Sequence, residues 1–387
     1  MSELFLLSKN IGKKVIHLHI DRIINKISLE VNMGTLDTEE KIKKLDTEGM
    51  LQSISDLPYQ MENAWNELKN FVIPTPYIKC NKILILGMGG SAIGGDLVSS
   101  LSLNYSKAPI IVQRDYGLPN FVDSNTLVIG VSYSGKTEET LDAFKMAGER
   151  NAKLIAISTG GEIESVARKY NAPIFKISYG AQPRAALGYL FTAILYIFYK
   201  LDFISLGQNE IVNAIEVMKE YQKEICTESP TSHNPAKQLA EKIKDRIPVI
   251  IGAGTMSTIA RRWKTQINEN SKQAAFYEVF PELCHNLIVG LDWPKKLGEK
   301  IYFLVLESEF DHPRNKIRQS VIGQIFRKKG VGYETIVMKK AFSPLVEMMQ
   351  MILLGDYTSY YLGILNGVNP TTIEMITFLK NKLAESK

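Results

Sequence analysis

The sequence predicts an α/β protein of two tandem modules, each a parallel sheet flanked by helices in a three-layer αβα arrangement. Three observations predict it. From Lys82 onward, apolar strands alternate with amphipathic helices, the pattern of a parallel sheet covered on both faces. The stretch KILILGMGGSAIGGDLVS returns as IPVIIGAGTMSTIARRWK, each an apolar strand, Gly-x-Gly, small polar residues and a helix, so the unit is repeated. The length of 387 residues suits two cores of roughly 150 residues each.

Residues 1–32 lack the apolar region and small-residue cleavage site of a secretory signal. They are read as an N-terminal extension, either a short basic amphipathic segment for a membrane surface or transit, or equally a poorly ordered, dispensable stretch with translation starting at Met33. Residues 33–77 form a helical region in which Leu51, Ile54, Met61 and Leu68 share a face. The first module, 78–206, carries strands KILILGM, PIIVQR, TLVIGV, KLIAIS and PIFKIS, helices SAIGGDLVSSL, TEETLDAFKMAGE and ESVARKY, and a closing helix over 184–201. A polar helical linker, 207–234, ends in the turn-rich SPTSHNP. Asn234 is placed to cap the next helix and Pro235 to occupy its first turn. In the second module, 235–387, KIYFLVLES stands where NTLVIGVSYS stands in the first, and YETIVM where KLIAIS stands.

Composition removes several classes of function. A formal net charge of +5 is small for this length, and no basic cluster supports nucleic-acid binding. Cys80, Cys226 and Cys284 are too few and too scattered for a disulfide framework or a Cys-x-x-Cys metal site, which fits a reducing cytoplasm. The longest apolar run, residues 185–199, is shorter than the roughly 20 residues of a membrane span and reads as a buried helix.

Two loops of the first module carry candidate chemistry, and three readings of them compete. GVSYSGKT, residues 130–137, matches the nucleotide-binding pattern G-x-x-x-x-G-K-[ST]. However, Gly130 lies within the apolar run LVIGV, and no apolar strand of the same half ends in the Asp that would hold Mg²⁺. GMGGSA, residues 87–92, satisfies a relaxed dinucleotide fingerprint. The next strand ends in Gln113 and Arg114 rather than an acid, so NADP would have to place its 2′-phosphate on Arg114. A third reading uses both loops together. Ser91, Ser132, Ser134 and Thr137 offer four hydroxyls at two strand-to-helix turns, which suits a compact phosphate monoester; the blander alternative is that they cap helices.

In the second half, RRWKTQINENSK precedes FPELCHN. Glu269 and His285 make the carboxylate and imidazole pair that moves protons at a carbonyl carbon and a ring oxygen. A metal site from Glu278, Glu282 and His285 is interrupted by Pro281. A Cys284 nucleophile paired with the adjacent His285 is geometrically poor.

Together, GMGGSAIGGD, SYSGKTEET, QPRAALGYLF, NENSK and CHNLIVG resemble the sugar isomerase (SIS) domain proteins. More closely, the chain is similar to the bifunctional phosphoglucose/phosphomannose isomerases, from about Asp46 to the C-terminus. The resemblance implies two SIS modules, a homodimer with sites near the subunit interface, and interconversion of glucose 6-phosphate or mannose 6-phosphate with fructose 6-phosphate through a cis-enediol, with no metal or other cofactor. It implies phosphate held by Ser91, Ser132, Ser134 and Thr137, with Gly89 and Gly90 admitting the sugar to the backbone. It makes Glu269 the base and Arg184 the stabiliser of the intermediate's charge. His285, from the partner subunit, and Lys380 would assist ring opening, and Thr371 or Thr372 would lie near the substrate. Where the family's loop commonly reads Gly-Asn-Thr, this chain has Lys136, which adds a cation only if it points inward. The competing readings are a non-catalytic SIS-type sugar-phosphate regulator, which has no need of Glu269 and His285, and a nucleoside triphosphatase.

Overall fold

A computed structural model describes residues 35–339 and 341–386, so the reading of residues 1–32 lies outside the described residues. The first sheet holds β1 (Lys82–Leu86), β2 (Ile110–Gln113), β3 (Thr126–Val131), β4 (Lys153–Ser158) and β5 (Ile174–Lys176). All pair in parallel, in the order β2-β1-β3-β4-β5. The second sheet holds β6 (Ile247–Gly252), β7 (Phe276–Val279), β8 (Ile301–Glu307) and β9 (Gly332–Val337), parallel in the order β7-β6-β8-β9. β6, β7, β8 and β9 repeat β1, β2, β3 and β4 in order, so the internal repeat is topological as well as sequential. In both sheets the chain reverses direction beside the first strand, the kind of crevice where open α/β sheets bind ligands.

Helices formed where the sequence supplied a start. Asn234 accepts from the Lys237 amide at 3.0 Å, and Pro235 opens the Pro235–Ile243 helix. The helical region after Asp46 is two helices, Met50–Ser55 and Leu57–Leu68, since Pro58 has no N–H with which to continue the first. Leu51 is half-buried, whereas Ile54, Met61 and Leu68 are buried. The 185–199 run forms the buried helix Leu187–Lys200. No helix among the described residues is long and apolar enough to cross a membrane.

Three elements had no sequence signal. β7 is a short strand of mixed polarity, and the Pro313–Lys328 helix has only a narrow apolar stripe. The Pro344–Leu365 helix is buried at every position from 345 to 364, and a helix buried all round shows no amphipathic period. It packs against the Gly254–Ser271, Gln208–Ile225 and Pro235–Ile243 helices. One continuous apolar core thereby joins the two modules, running from Ile83 and Ile85 through Leu190 and Ile194 to Trp263 and Leu353.

The chain before the first sheet is tied into this core by a buried charge. The Lys237 side chain is fully buried, and its ammonium donates to Asp37 Oδ1 at 2.9 Å, Thr227 O at 2.9 Å and Ser229 O at 2.8 Å. Asp37→Ala removes that ammonium's hydrogen-bonded counter-charge, an expected loss of about 3 kcal/mol. Urea denaturation should show a lower midpoint with an unchanged slope.

Candidate active site

The C-terminal ends of β1 and β3, paired at Leu86 and Gly130, hold the two hydroxyl loops side by side. After β1 the chain enters the Gly89–Ser102 helix, with Gly89 at φ +49° and open space where a side chain would lie. Gly90 faces the opposite demand. A Cβ there would stand 2.9 Å from the backbone N and Cα of Arg184, so only glycine lets this loop lie against the Arg184 turn. Ser91 is buried and its Oγ accepts from the Tyr133 amide at 3.2 Å, joining the two loops. Ser132 is fully buried, with its Oγ 2.8 Å from Thr137 Oγ1. Ser134 Oγ accepts from the Lys136 amide at 3.3 Å. Thr137 stands at the N-cap of the Glu138–Glu149 helix, yet its hydroxyl makes no cap bond. None of the four hydroxyls caps a helix; Ser91, Ser132 and Ser134 instead accept from loop amides, those of Tyr133, Thr137 and Lys136.

Gly130 sits within β3, where a Cβ would stand 2.6 Å from the Phe144 ring. It is a packing position under a helix, not the first turn of a nucleotide loop. Arg114 forms an ion pair with Asp96, to which Arg261 also approaches at 3.5 Å, so it is not free for a 2′-phosphate. Lys136 is exposed, and its ammonium has no hydrogen-bond or ion-pair partner among the described residues.

Arg184 brings the two modules together. It lies in the 3₁₀ turn Pro183–Ala185, 3% exposed. Its Nε donates to Asn270 Oδ1 at 2.7 Å, and its Nη2 donates to the carbonyls of Pro370 at 2.8 Å and Thr371 at 3.0 Å. Nη1 faces Glu269 Oε2 at 3.4 Å. Burial holds the guanidinium below its usual pKa, opposed by the Glu269 charge. Behind it, Arg262 Nη2 donates to the Arg184 carbonyl at 3.1 Å while pairing with buried Asp356 at 2.5 Å.

Glu269, one-quarter exposed, lines a cleft of about 600 Å³ with Asn268, Lys272, Asn369, Thr372 and Met375. Thr371 is instead buried, with a hydroxyl that finds no partner. His285 lies exposed on the turn Glu282–His285 after β7, and Lys380 lies exposed on the terminal helix Glu374–Glu385. Neither lines the cleft, and neither has a hydrogen bond or ion pair among the described residues. Glu278 is in β7, which removes the helical spacing to Glu282 and His285. Among the described residues no three His, Cys, Asp or Glu side chains converge to hold a metal.

Sequence reasoning missed Asn270, Lys272 and the Arg262–Asp356 pair. NENSK contains two of these residues, but only the fold shows that Asn270 orients Arg184. Lys272 takes a left-handed conformation, φ 54°, at the end of the Gly254–Ser271 helix, at a cost of about 1–2 kcal/mol for a residue with a Cβ.

The second module repeats this loop geometry with different chemistry. Gly254 adopts φ +48°, as Gly89 adopts +49°. After β8, however, the Ser308 hydroxyl donates to Glu347, the Glu309 amide donates to Glu347 at 2.9 Å, and the Ser308 amide donates to Asp311 at 3.4 Å. Burial pushes both carboxyls above the usual range. In the second module, internal carboxyl groups take up the donors of this turn.

This doubled architecture, with hydroxyl-lined turns at the ends of β1 and β3, defines a protein of the SIS-domain class. The SIS domain family matches residues 77–199, and the family described as the bacterial phospho-glucose isomerase C-terminal SIS domain matches residues 232–383. The chain belongs to the bifunctional phosphoglucose/phosphomannose isomerase family. It is 42% identical over 339 residues to the Caldicellulosiruptor bescii bifunctional phosphoglucose/phosphomannose isomerase, covering 87% of this chain and 100% of that protein. It is 33% identical to the Aquifex aeolicus enzyme of the same name, over 80% of this chain and 91% of that one. In fold it is similar to a putative phosphosugar isomerase from Clostridium difficile, with a TM-score of 0.64 and 16% identity over 84% of this chain and 95% of that one.

Proposed function

We propose that this chain interconverts glucose 6-phosphate and mannose 6-phosphate with fructose 6-phosphate at a single site built on Glu269 and Arg184. The observation that carries this reading is the placement of a buried, three-way-bonded guanidinium 3.4 Å from a cleft-lining carboxylate and against the glycine of a hydroxyl-bearing loop. Ser91, Ser132, Ser134 and Thr137 hold the phosphate by hydroxyl and amide donation. Glu269 takes the proton from C2 of the open-chain aldose. The C–H electrons form the C1–C2 double bond as the carbonyl π pair moves onto O1, and the O2 proton passes to O1 through the cis-enediol stage. The same carboxyl returns its proton to C1 as the electron pair left on O2 closes the ketose carbonyl. Arg184 lies where negative charge develops on O1 and O2, and a fixed cation there stabilises the transition state. Glucose and mannose differ at C2, which is planar in the enediol, so both aldoses meet at one intermediate. Of the two threonines, Thr372 lines the cleft with Glu269 and is the one placed to donate to or accept from the sugar.

Ring opening requires a proton delivered to the ring oxygen, and Glu269 cannot hold both roles. We assign this step to His285 of the partner subunit, with Lys380 assisting, in a homodimer. Exposed apolar side chains support such an interface, Val289 and Trp293 beyond His285 and Met375, Phe378 and Leu379 around Lys380. Three unpaired cysteines fit a reducing cytoplasm.

Turnover of both aldose phosphates in EDTA tests the reading, and turnover of neither overturns it. Fructose 6-phosphate should raise the melting temperature, whereas ATP with Mg²⁺ should not. Gly90→Ala should lower kcat/KM about 100-fold, because the new methyl displaces the Arg184 backbone and misplaces the charge at the reacting atoms. Steady-state kinetics with fructose 6-phosphate checks it.

A further inference from the structure

We propose that Lys272 is a positioning residue that clamps the end of the Glu269 helix to the 369–371 segment and so holds Glu269 and Arg184 in register, an inference that rests on the isomerase reading above. The Lys272 ammonium donates to Glu269 O at 2.7 Å, Asn369 O at 2.7 Å and Pro370 O at 3.3 Å. Each of its three protons therefore has a carbonyl. The Pro370 carbonyl also accepts from Arg184 Nη2, as does that of Thr371. Lys272 and Arg184 thus share one short piece of backbone, and Lys272 ties that piece to the Glu269 main chain while Arg184 meets the Glu269 carboxylate. Helices commonly end in glycine where the backbone turns left-handed. A lysine in that conformation carries the strain and contributes a side chain that glycine lacks.

The charged groups facing Lys272 come from four places. Arg184 is on its own 3₁₀ turn, Glu269 on the preceding helical turn, Glu374 at the start of the terminal helix, and Glu48 on the chain before the Met50–Ser55 helix. Burial and the Arg184 charge push the Lys272 ammonium down to about 8, against the opposing pull of Glu269, Glu374 and Glu48. Below that pH the three-donor clamp is complete. Above it one donor is lost and the 369–371 segment loosens, so kcat falls along an alkaline limb. Stability moves the other way. A lysine whose folded pKa lies below its unfolded value of 10.5 costs the folded state most below pH 8, and that cost fades as pH rises toward the unfolded value. Unfolding through this group is therefore not the source of the limb.

The experiment measures kcat and KM for fructose 6-phosphate against pH on wild type, Lys272→Met and Lys272→Arg, with melting temperatures. Lys272→Met should lower kcat about 30-fold while KM stays within about threefold, the signature of lost transition-state geometry with retained ground-state binding. Lys272→Arg, whose charge does not titrate in this range, should recover most of kcat and lose the limb near pH 8. Should Lys272→Met not fold, Lys272→Arg and its pH profile decide. Wild-type kcat in Lys272→Met, a loss carried by KM, or a limb near pH 8 persisting in Lys272→Arg would each overturn the inference and leave the isomerase reading standing. Absence of wild-type turnover would overturn both.

Discussion

Glu269→Gln is expected to lower kcat for both aldose phosphates by about 10³-fold, within the range of a lost general base. The substitution preserves shape and leaves a carbonyl oxygen to accept from Arg184 Nη1; it removes only the ability to take a proton from carbon. Binding should survive, because the loop hydroxyls proposed to hold the phosphate stand on separate elements. KM is expected within a few-fold of wild type, and fructose 6-phosphate should still raise the melting temperature. The fold should be little disturbed, since the carboxylate is partly exposed and has one ion pair. Near-full activity in this variant would show that another group moves the proton.

The largest expected loss of stability follows Asp356→Ala, at about 3–5 kcal/mol, against a typical total of about 5–15 kcal/mol for a folded protein. Arg262 is 2% exposed and meets Asp356 through two nitrogens, at 2.5 and 3.1 Å, while Gln266 donates to the same carboxylate at 3.0 Å. Removing the carboxylate leaves a guanidinium in an apolar core with its counter-charge gone. The effect reaches the site, because the same Arg262 nitrogen donates to the Arg184 carbonyl. Asp356→Ala should therefore lower kcat as well as the denaturation midpoint, whereas Asp37→Ala, equally tied to a buried cation, should lower the midpoint alone. Denaturant unfolding beside steady-state kinetics on the two variants separates these cases.

Where local chemistry acts alone, the sequence was readable. The strands of both repeats, the Asn234–Pro235 helix start, and Gly130 as a strand residue are local consequences of apolar runs, capping and side-chain size. What needs packing was not readable. The Pro344–Leu365 helix has no polar face to set a period, and Asn270 differs from a surface asparagine only because Arg184 is folded against it. Arg184, Glu269 and the hydroxyl loops stand on legible motifs and meet within one chain. His285 and Lys380 were named from the same kind of evidence and stand apart there. The difference lies in the route, since Arg184 and Glu269 are joined through the shared core of one chain.

The most direct test of a single site serving both sugars is a mixed-substrate assay in EDTA, following glucose 6-phosphate isomerisation as mannose 6-phosphate is added. One site predicts purely competitive inhibition, with an inhibition constant equal to the KM for mannose 6-phosphate as a substrate when chemistry is slow relative to its dissociation. Additive, uninhibited turnover of the two sugars would contradict it.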